Sequence, residues 1–294
     1  MDGVQKHFSK CLLATATSAL FACAASAFAG DAQLNGAAAQ FAILSAAPNG
    51  AGAISCTNSV VSGDVGSSGS VTQSGCTISG AVVAPVSADV LADFDNTYAG
   101  FANLSCTAVL QDSYANTTFA LTPGVYCNSG GGDVTFANTT LTLDAQGDPN
   151  AVWVFKIGTG GSGKLAGSNF SVAVANGARS TNVSWVANAV TITTPGLRGT
   201  ILAGAAASIS GTNGSYSPLN GKVLARAAVT LADIAVSAAV ASDTAQSKCN
   251  QGVGNGAENC DPANSNQGSI YPFGSNDEYG GVPGNPGRKA KGKP

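Results

Sequence analysis

Along most of the chain apolar and small polar residues alternate with a period of two, in short bursts divided by glycine. Two of these bursts superimpose. Residues 199–210 read GTILAGAAASIS and residues 221–232 read GKVLARAAVTLA, at an offset of 22. Gly199 falls on Gly221, Leu202 on Leu224 and Ser208 on Thr230. A looser copy lies upstream, where Val190-Thr191-Ile192-Thr193 matches Ala207-Ser208-Ile209-Ser210 at an offset of 17. Alternation places one side of each run in a core and predicts β-strands. Recurrence at about 20 residues predicts stacked coils, each too small to bury its own apolar face. The fold class that follows is an all-β parallel solenoid over residues 30–242.

Further runs fit the same rhythm at 41–44, 60–66, 78–83, 134–136, 141–143, 152–155, 170–174 and 183–185. Residues 87–104 differ. There Leu91, Phe94, Tyr98 and Phe101 recur at helical spacing, with Asp89, Asp93, Asp95 and Asn96 on other faces and Ser87 placed as an N-cap. One amphipathic helix is predicted, its aromatic stripe lying against the flank of the solenoid. Residues 105–127 read as a loop.

The two ends of the chain have another character. Lys6 and Lys10 precede an apolar run, and Ala27-Phe28-Ala29 is an A-x-A cleavage signal, so residues 1–29 read as a signal peptide, too short in its apolar part to span a bilayer. The protein is expected to be secreted. A minor alternative is a lipid anchor at Cys23, after Leu20-Phe21-Ala22. Residues 243–294, rich in Asn, Gly, Pro, Asp and Ser, read as a C-terminal tail. Six cysteines lie beyond the signal peptide, and sequence order suggests the local pairs Cys56–Cys76, Cys106–Cys127 and Cys249–Cys260. A monomer is expected.

Composition narrows the chemistry. Only 10% of residues are charged and no basic stripe precedes the last few residues, which argues against nucleic acid as a partner. The single histidine is His7, within the signal peptide, so no Ser-His or Cys-His pair and no histidine metal site can form in the rest. The cysteine spacings are not those of a zinc site. No cofactor and no metal are expected. The nearest approach to a glycosidase carboxylate pair is Asp144 with Asp148. Both read better as turn formers before Pro149. Arg179, Arg198 and Arg226 read as solvated corner residues. The chain is not expected to be an enzyme, and a carbohydrate lyase or hydrolase would rest on solenoid analogy alone.

What the repeats do offer is a face. Stacking places Thr191, Ser208 and Thr230 in one outward column, and Thr193, Ser210 and Ala232 in a second. Strands stack about 4.8 Å apart and alternate residues lie roughly 6.6 Å apart. The product is an uncharged lattice of hydroxyls and methyls, three coils deep, of a kind that can hold ordered water. The bland alternative is that small residues merely suit a solvated sheet.

Several stretches, at 34–44, 62–66, 121–126, 141–158, 182–185, 199–203 and 220–231, resemble the microbial ice-binding-like domain family. The resemblance implies a secreted, discontinuous right-handed β-helix of triangular section with a long α-helix packed alongside. It also implies adsorption to ice through Thr191, Thr193, Ser208, Ser210 and Thr230, with ice or an ordered water surface as partner. Ice-active members share a Thr-(Ala/Gly)-x-(Thr/Asn) motif. Its nearest versions here are Ser210-Gly211-Thr212-Asn213 and Ser74-Gly75-Cys76-Thr77, with serine in place of threonine. The absence of a strict copy leaves a second reading, an extracellular surface or matrix scaffold or adhesin without ice activity.

Overall fold

The computed structural model describes Leu34 and residues 36–128, 130–212 and 214–238. The segment read as a signal peptide, the segment read as a tail, and Cys249 and Cys260, expected to pair, lie outside the described residues. Three sheets enclose one core, and every pairing between their strands is parallel. Sheet A runs in the order β7 (Val82–Val83), β4 (Asp64–Ser67), β1 (Phe41–Ser45), β20 (Val223–Ala225), β17 (Thr200–Ala203), β14 (Val183–Ala187), β12 (Trp153–Ile157), β10 (Gly124–Asn128), β8 (Ala108–Leu110). Sheet B runs β5 (Ser70–Ser74), β2 (Ala53–Thr57), β21 (Val229–Ala232), β18 (Ala207–Ser210), β15 (Ala189–Thr193), β13 (Lys164–Ala175), β11 (Val134–Asp144), β9 (Ser113–Leu121). Sheet C runs β16 (Leu197–Arg198), β19 (Ser217–Asn220), β22 (Ile234–Ser237), β3 (Val60–Ser62), β6 (Thr77–Ile78). A coil visits A, B and C in turn, which gives the three-sided solenoid its section.

The repeat read from the sequence is the stacking register. Ile201, Leu202 and Ala203 pair with Val223, Leu224 and Ala225, and Ser208 pairs with Thr230. The order of coils is not the order of the chain, however. The last coil, β20–β22, docks on the first, β1–β3, through Ile43↔Val223, Ile54↔Val229 and Val61↔Val236. The second coil, β4–β6, sits outside the first.

That discontinuity explains the helix. Strands β7 and β8 are the opposite edges of sheet A, and α1 (Ala88–Ala102) is the chain between them. Eight strand spacings come to about 38 Å, of which a helix of 15 residues covers roughly 22 Å and the flanking residues the rest. Ser87 takes the extended N-cap backbone as expected, without a side-chain cap bond. Val90, Leu91, Phe94, Tyr98 and Phe101 pack on outward residues of sheet A, among them Leu44, Leu224, Leu202 and Val186. Between its edge strands sheet A is therefore buried on both sides, and β1 and β12 are buried at every position. Beside this seam the Lys156 ammonium donates to the Leu104 carbonyl at 2.5 Å, just past the helix C-terminus. Burial lowers the pKa of Lys156, and likewise of Lys222, whose ammonium donates to the Ala39 carbonyl.

Rings stack along the solenoid axis inside. Phe136 lies 4.2 Å from Phe170, Phe155 lies 4.0 Å from Trp185, and Tyr114 lies 5.0 Å from Phe136, centroid to centroid. These separations follow the strand spacing. Gly199 and Gly221 mark one corner of the stack. Gly199 has φ 107°, and a Cβ on Gly221 would sit 1.8 Å from the Gly199 carbonyl oxygen.

Two expectations need correction. Residues 105–127 are not a loop: they hold β8, β9 and β10. In β9 the apolar positions change parity at Asn116, from Tyr114 to Phe119 and Leu121, because Asn116 adopts φ 49° and turns the chain. A single alternating template misses such a strand. Arg226 is not simply solvated: its guanidinium donates to Asp95 Oδ1 on α1 at 2.6 Å and lies 5.7 Å over the Tyr98 ring.

The helix is held by apolar contact more than by this half-exposed ion pair. Phe94→Ala is expected to cost about 3–5 kcal/mol in denaturant unfolding. Arg226→Ala should cost under about 1 kcal/mol. The reverse ranking would mean that charge, not burial, fastens α1.

Candidate functional site

Sheet A lies under the helix, which leaves sheet B as the long uncovered face. Its strands alternate cleanly: β15 and β2 are buried at their second and fourth residues and open at the others. Inward go Val190 and Ile192, Ile54 and Cys56. Outward go the residues that form columns.

Backbone register fixes those columns. The first runs Thr72, Ser55, Thr230, Ser208, Thr191, Ala166, Thr135, Ser113. The second runs Ser74, Thr57, Ala232, Ser210, Thr193, Ser168, Ala137, Ala115. All five site residues named from the sequence thus fall on one face, in the two columns expected. Thr191, Thr193, Ser208 and Thr230 are exposed and Ser210 is partly so. The depth differs from expectation. Eight strands contribute instead of three, so the lattice is about 34 Å long. No charged side chain lies in either column. Charges stand at the rim, at Asp112, in the Lys164–Asp133 pair at 3.8 Å and at Asp233.

The residues that sequence reasoning missed share a recognisable pattern. Each coil carries a four-residue unit of small hydroxyl or alanine, inward residue, small residue, then a corner former. Examples are Thr135-Phe136-Ala137-Asn138, Ser55-Cys56-Thr57-Asn58 and Thr230-Leu231-Ala232-Asp233. The spacing between units is uneven. Thr72 follows Ser55 after a short connection, whereas a far longer one separates Ala166 from Thr135, and this hides the series from a fixed-period search. The two nearest copies of the Thr-(Ala/Gly)-x-(Thr/Asn) motif do not lie flat on the face. Ser74 is on β5 but Thr77 has passed the corner onto β6 in sheet C. Ser210 likewise ends β18, and Thr212 lies beyond it.

The corner beside the second column is itself a built structure. Asn58, Asn116, Asn138, Asn169, Thr194 and Asp233 all adopt φ between 42° and 55° there. Asn and Asp tolerate this region better than other side chains with a Cβ. Asn138 Nδ2 donates to Asn116 Oδ1 at 3.0 Å, and Asn169 Nδ2 donates to Asn138 Oδ1 at 3.1 Å. Asn169 N–H donates to Thr194 Oγ1 at 2.8 Å. This ladder ties coil to coil along the edge of the face. It sets where each strand leaves sheet B, and so holds the columns straight.

The hydroxyls are largely free for a partner. Thr193 Oγ1 donates to the Gly167 carbonyl at a long 3.4 Å. Among the described residues, the other column hydroxyls make no side-chain hydrogen bond within the protein. Threonine is stiff at χ1, so its hydroxyl and methyl are presented in a set orientation. Past the Asn116–Asn138–Asn169 corner, β9, β11 and β13 run on along the side that sheet C continues, and a rival array there is shorter. Thr118, Thr140 and Ser171 align over three strands, Ser171 bridges to Gly196, and Pro218, Asn220 and Arg198 interrupt the pattern beyond.

Asp144 and Asp148 are turn formers. Asp144 accepts from Asn176 Nδ2 and Gln146 N–H, each at 2.8 Å, and these bonds hold its carboxyl below the usual carboxylate range. Asp148 accepts from Asn150 N–H at 2.8 Å. Among the described residues no three His, Cys, Asp or Glu side chains gather as a metal site would need. No helix among them is long and apolar enough to cross a membrane.

Asn138→Ala removes both amide ladder bonds and leaves a Cβ-bearing residue without polar compensation at φ 48°. It is expected to cost about 1–3 kcal/mol in denaturant unfolding. Asn138→Gly should cost less, because glycine adopts this φ freely. A variant Asn138→Ala as stable as the wild type would remove the ladder from the forces that shape the face.

Comparison with known proteins places this geometry. The family model described as Ice-binding-like matches residues 16–237. Ice-binding protein 1 of Shewanella frigidimarina (strain NCIMB 400) is 40% identical over 65 residues, which is 22% of this chain and 7% of that protein. The chain thus spans only a small part of that curated relative. An ice-binding protein from the Antarctic ascomycete Antarctomyces psychrotrophicus has a similar structure, with TM-score 0.58 and 26% identity over 71% of this chain and 98% of its own. One from an Antarctic bacterium of the Flavobacteriaceae superimposes with TM-score 0.56 and 28% identity over 68% of this chain and 45% of its own. A single parallel solenoid, its flanking helix and a family match over about three quarters of the sequence agree, and the chain belongs to the Ice-binding-like family.

Proposed function

We propose that this is an exported ice-binding protein that adsorbs to ice through the outward face of sheet B. The observation that carries this reading is the pair of uncharged columns, in register over eight strands. A surface that orders water needs polar atoms at regular, fixed positions and few charges, which would impose their own hydration shells. Sheet B supplies small side chains about 4.8 Å apart along each column, hydroxyls of Ser and Thr at most positions and alanine methyls at the others. Many weak, pre-organised contacts then add up without the cost of ordering mobile groups. Thr191, Thr193, Ser208, Ser210 and Thr230 form the middle of this site. Thr72, Ser74, Ser55, Thr57, Ser168, Thr135 and Ser113 extend it in both directions. The partner is the ice surface with its ordered water. The face needs no second subunit, and its working form is a monomer.

The lattice is eight strands long, against the three coils read from the sequence, and so offers a broader contact to ice. The protein should shape growing crystals as well as slow recrystallisation. Ser208 is central in the first column, and a bulky group there holds its neighbours off a flat surface. Ser208→Tyr is expected to abolish recrystallisation inhibition, while Thr142→Tyr on the sheet C side leaves it near wild type. Grain growth in frozen sucrose solution checks both. Equal inhibition by wild type and Ser208→Tyr would exclude sheet B as the site.

A further inference from the structure

The two disulfides of the described region sit at opposite ends of the solenoid. Cys56–Cys76 joins the outermost coil, β4–β6, to the coil beneath it, and Cys106–Cys127 joins the coil of β8 and β9 to that of β10. The two end coils differ in what else holds them. At the far end β9 is nine residues long, and Tyr114, Phe119 and Leu121 pack inward, with Tyr114 stacked 5.0 Å from Phe136. Three large half-buried side chains fasten that strand. At the near end β5 buries almost nothing: Val71 is half-buried and Ser70, Thr72, Gln73 and Ser74 are exposed. Among the described residues its only sheet neighbour is β2, and β6 after it is two residues long. An edge strand with so little apolar contact is marginal by its backbone bonds alone.

From this contrast we infer that Cys56–Cys76 is a positioning clamp, which holds β5 in register so that Thr72 and Ser74 complete the hydroxyl face. Cys56 is 2% exposed, inside β2, between the outward Ser55 and Thr57. Cys76 lies one residue past the Gly75 corner, so the bond grips the chain just where it leaves the face. Ring closure over 20 residues limits how far β5 can stray when its backbone bonds open. The clamp acts on Thr72 and Ser74 through the backbone and touches no ligand. Its contribution to activity rests on the ice-binding reading above, but its effect on β5 does not.

Amide hydrogen exchange and recrystallisation inhibition, measured together on the full chain, test it. In C56A/C76A the amides of β5 should exchange about 100-fold faster than in wild type, the factor expected when a disulfide of this loop length is lost. Those of β15 and β18 should lose no more protection than the drop in global stability read from denaturant unfolding, and inhibition should fall several-fold. C106A/C127A should leave β5 exchange and inhibition at wild-type levels. Should C56A/C76A not fold, folded C106A/C127A can be compared before and after reduction by dithiothreitol, which is oxidised to its cyclic disulfide as Cys56–Cys76 becomes two thiols. Exchange in β5 within twofold of wild type, with Cys56–Cys76 absent, overturns the clamp. A wild type inactive on ice would defeat the ice-binding reading alone, since the exchange arm still decides the clamp.

Discussion

In-register pairing between stacked coils is the constraint on which everything else in this structure depends. Each coil is too thin to bury anything by itself. Its apolar residues find a core only when the coil above and the coil below repeat the same inward pattern. Once backbone bonds fix that register, the outward residues have no choice of position. Thr191 must stand beside Ser208, and Ser208 beside Thr230. The hydroxyl face is therefore a by-product of burial on the other side of the same strands. Its regularity is inherited from the core, where Phe136 and Phe170 stack at 4.2 Å.

The same constraint decides where charge can go. Neither column carries a charged side chain, so no ionic hydration shell interrupts the face. The lysines at 156 and 222 instead give their ammonium groups to backbone carbonyls, of Leu104 and Ala39. Arg226 reaches across to Asp95 and over Tyr98 on the helix, on the side away from the face. Tyr98 in turn donates to the Ala187 carbonyl at 3.2 Å. The helix covers the one sheet that is apolar on both sides, and leaves uncovered the one that alternates.

Much of this was legible in the sequence, for definite physical reasons. The recurrence that carries Leu202 onto Leu224 is a direct image of stacking, since neighbours in the stack are one coil apart in the chain. The aromatic stripe at Phe94 and Tyr98 is local, as helical periodicity always is. The five site residues came from the same repeat and fell in the expected columns. The docking of the last coil on the first was not legible, for the resemblance implied only that the β-helix is discontinuous. Ile43 belongs to the first coil and Val223 to the last, and no short-range pattern records that they touch. Strand β9 was missed because Asn116 flips the parity of its apolar positions. The outer parts of the face were missed because loops of unequal length separate coils that are equal in space.

The central claim is that the outward face of sheet B fixes water in a lattice set by its own strands. The most direct measurement is a crystal structure at a resolution where single waters are placed, with that face free of lattice contacts. Files of ordered water should lie between the two columns from β5 to β9, repeating at the strand spacing of about 4.8 Å. Scattered waters over Thr191, Ser208 and Thr230, with a regular file instead over Thr118, Thr140 and Ser171 on the sheet C side, would contradict it.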